Sequence, residues 1–217
     1  MTRRFVRARK PEHKDERRAQ LLGTARAMLE AGLPLRDLSL NELARRAGMA
    51  KANVYRYFET REAVLLELLR EELGRWIGAV DADLARGRAP LSLDTMIARL
   101  TRALAEEPLL SALLAALPSV LEQNLSEDAI RSFKREAMRG LSELGVLLHA
   151  RCPALSAHAW TGLLDDVATV VAGLHPATHP SEAAARVLDD PELVFFRKDY
   201  ERELRRYVRA LAADRAR

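Results

Sequence analysis

Nowhere in this chain do Val, Ile and Thr alternate with polar residues over the length of a strand, so no sheet is expected. Aromatics make up only 5% of its 217 residues, while Leu and Ala abound. Ala and straight-chain residues lose least on entering a helix, and this mixture predicts an all-α fold. Cysteine is nearly missing. Cys152 stands alone, which excludes an intrachain disulfide and gives no sign of an oxidising compartment. The longest apolar run, around Leu109–Leu117, is too short to span a bilayer. The opening MTRRFVRARKPEHKDERR has positive charge but no apolar stretch behind it, so it does not read as a secretory signal. The expectation is a cytoplasmic protein with no membrane partner.

Catalytic signatures are missing too. No Ser lies in a Gly-flanked elbow, no Gly-rich loop is built to cradle phosphate, and no Cys–His pair has a rationale. The pairs Asp165-Asp166 and Asp189-Asp190 are sequence neighbours, which point apart on a helix. His175 and His179 have a spacing that chelates metal on a helix. Pro176 and Pro180 instead place them in a loop, and no ligand set accompanies them. The expectation is therefore no enzyme, no metal and no cofactor.

What the chain does have is an uneven charge. Its net charge is only +4, yet residues 1–60 carry 14 Lys/Arg against 7 Asp/Glu, and the rest 21 against 24. A basic head on a mildly acidic body suits a protein whose head meets phosphates, although basic tails also serve solubility. Residues 1–11 read as a disordered basic arm, with Arg3, Arg4, Arg7, Arg9 and Lys10 available to a minor groove.

From Glu12 to Ala31 the apolar residues Leu21, Leu22, Ala25, Met28 and Leu29 recur at helical spacing, ended by Gly32 and Pro34. Ser39-Leu-Asn-Glu42 is a capping box that opens a second helix, with Leu40, Leu43, Ala44 and Ala47 inward. Gly48 supplies a left-handed turn residue, and Met49 plugs that turn into the core. A third, short helix is expected over Lys51–Tyr57, with Val54 and Phe58 inward. Thr60 caps a fourth that continues through Leu65, Leu66 and Leu69, and past Leu73, where the pattern changes to longer helices, one is expected to end near Arg86. Further helices are expected over Leu93–Ala105, Pro108–Leu121 with a bend at Pro118, Ser126–Ala150, Ala157–Leu174 and Leu193–Ala212.

Three helices with a Gly turn between the second and third form the helix-turn-helix arrangement. Its recognition helix needs inward anchors, here Val54 and Phe58. It also needs outward groups for base edges, here Lys51, Asn53 and Arg56, since Lys and Arg suit guanine and Asn suits adenine. Tyr55 and Tyr57 offer hydroxyls to phosphates. The next helix start, at Thr60 and Arg61, offers free amides and a positive charge. A three-helix subdomain with a merely polar surface helix would not ordinarily carry two tyrosines and a phenylalanine within four residues.

The segment AGMAKANVYRYFETREAVL resembles the signature of the tetracycline-repressor (TetR) family of bacterial transcriptional regulators. The resemblance is specific over about Ala25–Leu66; beyond it, only the helical character and the length agree. It implies a homodimer with a DNA-binding domain at residues 12–60 and a helical effector-binding and dimerisation domain at 61–217. It places DNA contacts on Asn41, Lys51, Ala52, Asn53, Tyr55, Arg56, Tyr57 and Arg61. Two departures stand out: Ala50, where a capping side chain is common, and Asn53, where Thr is frequent. The operator sequence therefore does not carry over.

A helix-turn-helix protein reading a palindrome needs two copies. The last helix presents Tyr200, Leu204, Tyr207, Val208 and Leu211 on one stripe. The helix at 157–174 presents Trp160, Leu163, Leu164, Val167, Val170, Val171 and Leu174, too broad a face for one neighbour. Two such helices per protomer would make a four-helix interface. The resemblance also implies an effector pocket in the body, for which Trp76, Met96, Phe133, Met138, His149 and Trp160 are candidates. The apolar bias there leans toward a lipophilic or aromatic effector. The reading is thus a repressor released from a palindromic double-stranded DNA operator by a small molecule. The alternatives are a DNA-binding factor without effector and a helical enzyme.

Overall fold

The computed structural model describes residues 11–87 and 89–217. All regular elements among them are helical: α1 (Pro11–Glu30), α2 (Leu40–Arg46), α3 (Lys51–Val54), α4 (Arg61–Ala85), α5 (Leu93–Ala105), α6 (Pro108–Ala116), α7 (Glu127–Arg151), α8 (Ala157–Thr178), α9 (Glu182–Val187) and α10 (Tyr200–Arg215). The basic arm expected over residues 1–11 lies outside the described residues, save for Pro11, where α1 begins. Two compact units divide the chain, one through Leu68 and one from Leu69. The division falls inside α4, whereas the expected boundary after residue 60 coincides with its start. No single helix among the described residues is long and apolar enough to cross a membrane.

In the first unit, Leu21, Leu22, Ala25, Met28 and Leu29 of α1 are all buried, as their spacing requires. Leu43 of α2 joins them with no exposed surface. A fully buried Leu contributes roughly 2 kcal/mol relative to an exposed one. Arg18 of α1 pairs with Glu67 of α4 at 2.9 Å.

In the second unit, α8 is the central element: it packs against α6, α7 and α10, and α10 also lies against α5. Ser92, Ser126 and Ser156 cap α5, α7 and α8, each side chain accepting a backbone N–H. Trp160 is fully buried, and its indole Nε1 donates to the Cys152 carbonyl at 3.1 Å. The α7–α8 crossing is very close. A Cβ added at Gly145 would overlap Thr161 Oγ1 and stand 2.7 Å from the Ala157 carbonyl oxygen.

Four expectations are corrected. The α-helical turn of the recognition element ends at Val54, and Arg56 and Tyr57 bond back three residues, to the Asn53 and Val54 carbonyls at 3.2 and 2.9 Å. Such bonds tighten a helix end. Past α6, the helical run continues over Leu117–Leu121, but as a wider π turn holding Pro118 rather than as α-helix. The last helix starts at Tyr200, not Leu193, because Asp199 caps it by accepting from Arg202 N at 2.7 Å; Pro191–Phe196 is a separate 3-10 segment.

The fourth correction concerns the His175–Pro180 stretch. It is not a loop: α8 runs through Pro176 to Thr178, and the short α9 follows, capped by Ser181. A proline removes one helical donor, but Thr178 Oγ1 donates back to the carbonyls of Leu174 and His175 at 3.0 and 3.1 Å. His175 and His179 therefore share a face. Their rings stack with centroids 4.2 Å apart, and Tyr200 meets both edge-on. Burial, with His179 beside it, lowers the His175 pKa to about 4.

Candidate nucleic-acid interface

The first unit presents its second and third helices through local chemistry. Ser39 Oγ accepts Glu42 N at 3.2 Å, which starts α2. Gly48 has φ +64°, a conformation costly for any residue with a Cβ. It lets Met49 N return to the Ala44 carbonyl at 3.0 Å and turns the chain into α3. Gln20 of α1 donates to the Ala47 carbonyl at 3.2 Å and holds the same turn from outside. Met49 is only half-buried, so the turn is held mainly by these bonds rather than by the apolar plug expected of it. Ala50 precedes α3 without a side-chain cap, as its residue type dictates.

Val54 and Phe58 have 0% and 2% of their surface exposed. The Arg18 guanidinium lies over the Phe58 ring at 5.3 Å. Around these anchors, Lys51, Ala52, Asn53, Tyr55 and Arg56 are exposed and Tyr57 is half-buried. Lys51 Nζ stands 5.8 Å from the Tyr55 ring, so cation and aromatic form one surface. The exposed face carries donors, an amide and a phenol; the buried face carries none. That division is what a helix seated in a major groove about 12 Å wide requires.

Thr60 Oγ1 accepts Ala63 N at 3.1 Å and caps α4. Asn41, Tyr55 and Arg61 border one open groove of about 420 Å3, together with Arg36 and Thr60. Arg61 is not a free cation. Its Nε donates to Glu62 at 2.7 Å, and Nη1 reaches the Arg36 carbonyl.

Sequence reasoning passed over the acid-base cluster on α2. Arg45 donates twice to Glu42, at 2.8 and 2.6 Å, and Arg46 Nε donates once, at 2.9 Å. The three- and four-residue spacings were the available signal. The bonds from Arg45, then Arg46, lower the Glu42 pKa from 4.5 to about 2. A lowered carboxylate pKa contributes stability that is complete above 4.5 and is lost as pH falls through about 2. Glu42→Gln is expected to flatten the acid limb of the unfolding profile across that window, followed by circular dichroism. An acid limb unchanged from the parent would deny Glu42 this part.

The six expected effector-pocket residues fall on separate clefts, in the core and on the surface. Phe133 borders a cleft of about 300 Å3 between α4 and α7, with Leu73, Gly74, Ile77, Ala137 and Gly140. Met138 is 58% exposed on another groove, because five residues along α7 turn it away from Phe133. Met96 borders a third cleft, beside Val80 and Leu84. Trp76 and Trp160 are core. His149 is largely exposed, with Nδ1 2.7 Å from the Leu155 carbonyl.

The expected dimer stripe divides as well. Leu163, Val171, Leu204 and Val208 are buried within the protomer, while Val167, Val170, Tyr200 and Leu211 are half-buried and Tyr207 is 39% exposed. Val187, Val194, Phe195 and Phe196 are large exposed apolar residues outside both stripes. The two Phe rings meet edge to face at 5.4 Å.

Comparison with known proteins adds the following. Residues 22–68 match the family model described as bacterial regulatory proteins, tetR family, and residues 70–213 match that of the tetracyclin repressor-like C-terminal domain. Over 55 residues the chain is 46% identical to the HTH-type transcriptional regulator EthR of Mycobacterium tuberculosis, covering 25% of each chain. Its identity to EthR of Mycolicibacterium smegmatis is 40% over 55 residues, again covering 25% of each. The chain thus matches about a quarter of the length of these curated relatives. A TetR transcriptional regulator from Rhodococcus sp. RHA1 superposes with a TM-score of 0.53 at 18% identity, over 91% of this chain and 96% of that one. The fatty acid degradation regulator FadR from Bacillus halodurans does so with a TM-score of 0.50 at 18% identity, over 91% and 93%. At such identity these two likenesses speak to fold alone.

Proposed function

The chain belongs to the TetR family of bacterial regulatory proteins, and from that premise we propose that it is a transcriptional repressor that binds a palindromic DNA operator as a homodimer and leaves it on taking up a small molecule. One observation carries the reading. The four-residue α3 and the turn after it bury Val54 and Phe58 while exposing Lys51, Asn53, Tyr55 and Arg56. Lys51, Asn53 and Arg56 are assigned to base edges, and Tyr55 and Tyr57 to the sugar-phosphate backbone. Asn41 and Arg61 flank them along the groove shared with Tyr55. The Glu62 and Arg36 contacts hold Arg61 near the amide end of α4, where a phosphate is favoured. The reading is of a regulator rather than an enzyme, acting in the cytoplasm where the chromosome is.

For the effector we assign the α4–α7 cleft. Its floor is apolar and its rim holds the Arg70–Glu136 pair, Arg139 and Glu143. Its volume, about 300 Å3, is at the small end of ligand sites. Release then follows from a population shift: effector favours a state in which the two recognition helices of the dimer no longer match half-sites about 34–36 Å apart.

Selection of bound sequences from random duplex DNA tests the DNA reading. Asn53→Ala is expected to relax the preference at one base pair per half-site by about 1–3 kcal/mol. Tyr55→Phe is expected to weaken all selected sites alike. A general loss of affinity in Asn53→Ala, with the preferred sequence unchanged, would remove Asn53 from base reading.

A further inference from the structure

We propose that the carboxy-terminal end of α8 binds a divalent transition-metal ion of the zinc, nickel or copper type through the imidazoles of His175 and His179. The pair stands four residues apart at the end of a continuous helix, so both rings project from one face. They lie nearly parallel, 13° apart, at a centroid separation of 4.2 Å. Two nitrogens on one ion, each bonded at about 2.0–2.1 Å, stand roughly 3–4 Å from each other. Stacked rings aim their in-plane lone pairs side by side, so chelation requires the two rings to tilt until both nitrogens point at one ion.

The hydrogen bonding sets the chemistry. His179 Nδ1 is 3.0 Å from the His175 carbonyl oxygen. A carbonyl only accepts, so Nδ1 carries the proton and Nε2 keeps its lone pair. Metal-binding histidines are oriented in this way, by a backbone carbonyl on the nitrogen not used for the metal. Thr178 Oγ1, 3.1 Å from the same Nδ1, adds a second restraint. Among the described residues, no side chain or backbone group hydrogen-bonds to the ring of His175. It is a half-buried imidazole whose nitrogens are left over by the fold.

Tyr200 forms a wall against both rings and does not compete for the ion, because its hydroxyl donates to Ser111 Oγ at 3.0 Å. Among the described residues no group of three or more His, Cys, Asp or Glu is placed to hold an ion, so water completes the coordination. Two imidazoles plus water make a modest, exchangeable site rather than a closed structural one. Pro176 lies between the ligands and weakens the turn they span. A chelate across that turn would fix it, and through Tyr200 and Ser111 would tie α8 to α10 and α6.

Isothermal titration of the tag-free full chain with Ni2+ tests this. Saturable binding is expected in the parent, weakened about tenfold or more in both His175→Gln and His179→Gln. The melting temperature is expected to rise with Ni2+ in the parent and not in the variants. Equal binding by parent and both variants would assign the ion to the other histidines, and no binding at millimolar Ni2+ would remove the site; either result overturns the proposal. The ring of His179 is exposed, so His179→Gln has little reason to unfold. Paramagnetic resonance of the Cu2+-loaded parent needs no variant at all. Coupling to two imidazole nitrogens is expected, and coupling to one or none would overturn the assignment.

Discussion

Phe58→Ala is expected to abolish binding to the operator selected by the parent, weakening it by more than about 100-fold, equivalent to roughly 3 kcal/mol. Phe58 is 2% exposed and reads no base. It holds the recognition element in place from beneath, one turn from the equally buried Val54. Truncating a buried Phe costs about 3–5 kcal/mol through lost transfer energy and the cavity left behind. Loss of the Arg18 contact over the ring adds up to about 1 kcal/mol. A head of 50-odd residues has little stability to spare, since small domains are marginal. Hydrogen exchange over residues 14–68 is therefore expected to speed up by about two orders of magnitude. Phe58→Leu, which keeps most of the volume, should cost under about 1.5 kcal/mol and retain binding. If Phe58→Ala bound the operator with parental affinity, the element would not depend on its buried side, and the interface assigned here would be wrong.

The second large effect lies at the α7–α8 crossing. Gly145→Ala is expected to lower the melting temperature by about 2–4 °C, the equivalent of roughly 1 kcal/mol for a chain of this size. The added methyl would overlap Thr161 Oγ1 and stand 2.7 Å from the Ala157 carbonyl oxygen. Thr161 has a rotamer to change. The carbonyl belongs to the backbone of α8 and yields only if the helices separate. Overpacking of this kind costs about 1–3 kcal/mol. It outweighs the gain of just under 1 kcal/mol that Ala brings over Gly inside a helix. Gly173→Ala in α8 is the control, because nothing lies within 4 Å of its new methyl. There the propensity gain stands unopposed and the melting temperature should rise. Calorimetry on the two variants checks both signs, and a Gly145→Ala protein as stable as Gly173→Ala would refute the close crossing.

The recognition element was legible in the sequence because its logic is local. Ser39, Gly48, and Val54 with Phe58 act over one to five residues, and the structure places each of them as those spacings require, although the Glu42 half of the capping box turns to Arg45 and Arg46. Which large residues of the body face a cleft was not legible. Met138 and Phe133 are both large residues on α7, yet one is exposed and the other buried. Apolarity alone does not say which face of a long helix meets a neighbour. The proline rule misled at His175–Pro180: Pro176 forbids one backbone bond, but the turn still closes through His179 N, which donates to the His175 carbonyl at 2.9 Å.

The capped starts at Ser39, Thr60 and Ser126 and the split between the oily and polar sides of α3 were settled by residue type and near-neighbour spacing alone. Tertiary packing decided that Leu204 and Val208 of α10 serve the protomer core rather than a partner, that α7 and α8 meet where only glycine fits, and that two histidines stand ring on ring beside Tyr200. Backbone hydrogen bonds and caps depend on residues a few places apart. The approach of one helix to another depends on crossing angle and side-chain volume summed over distant parts of the chain, which no short stretch of sequence contains.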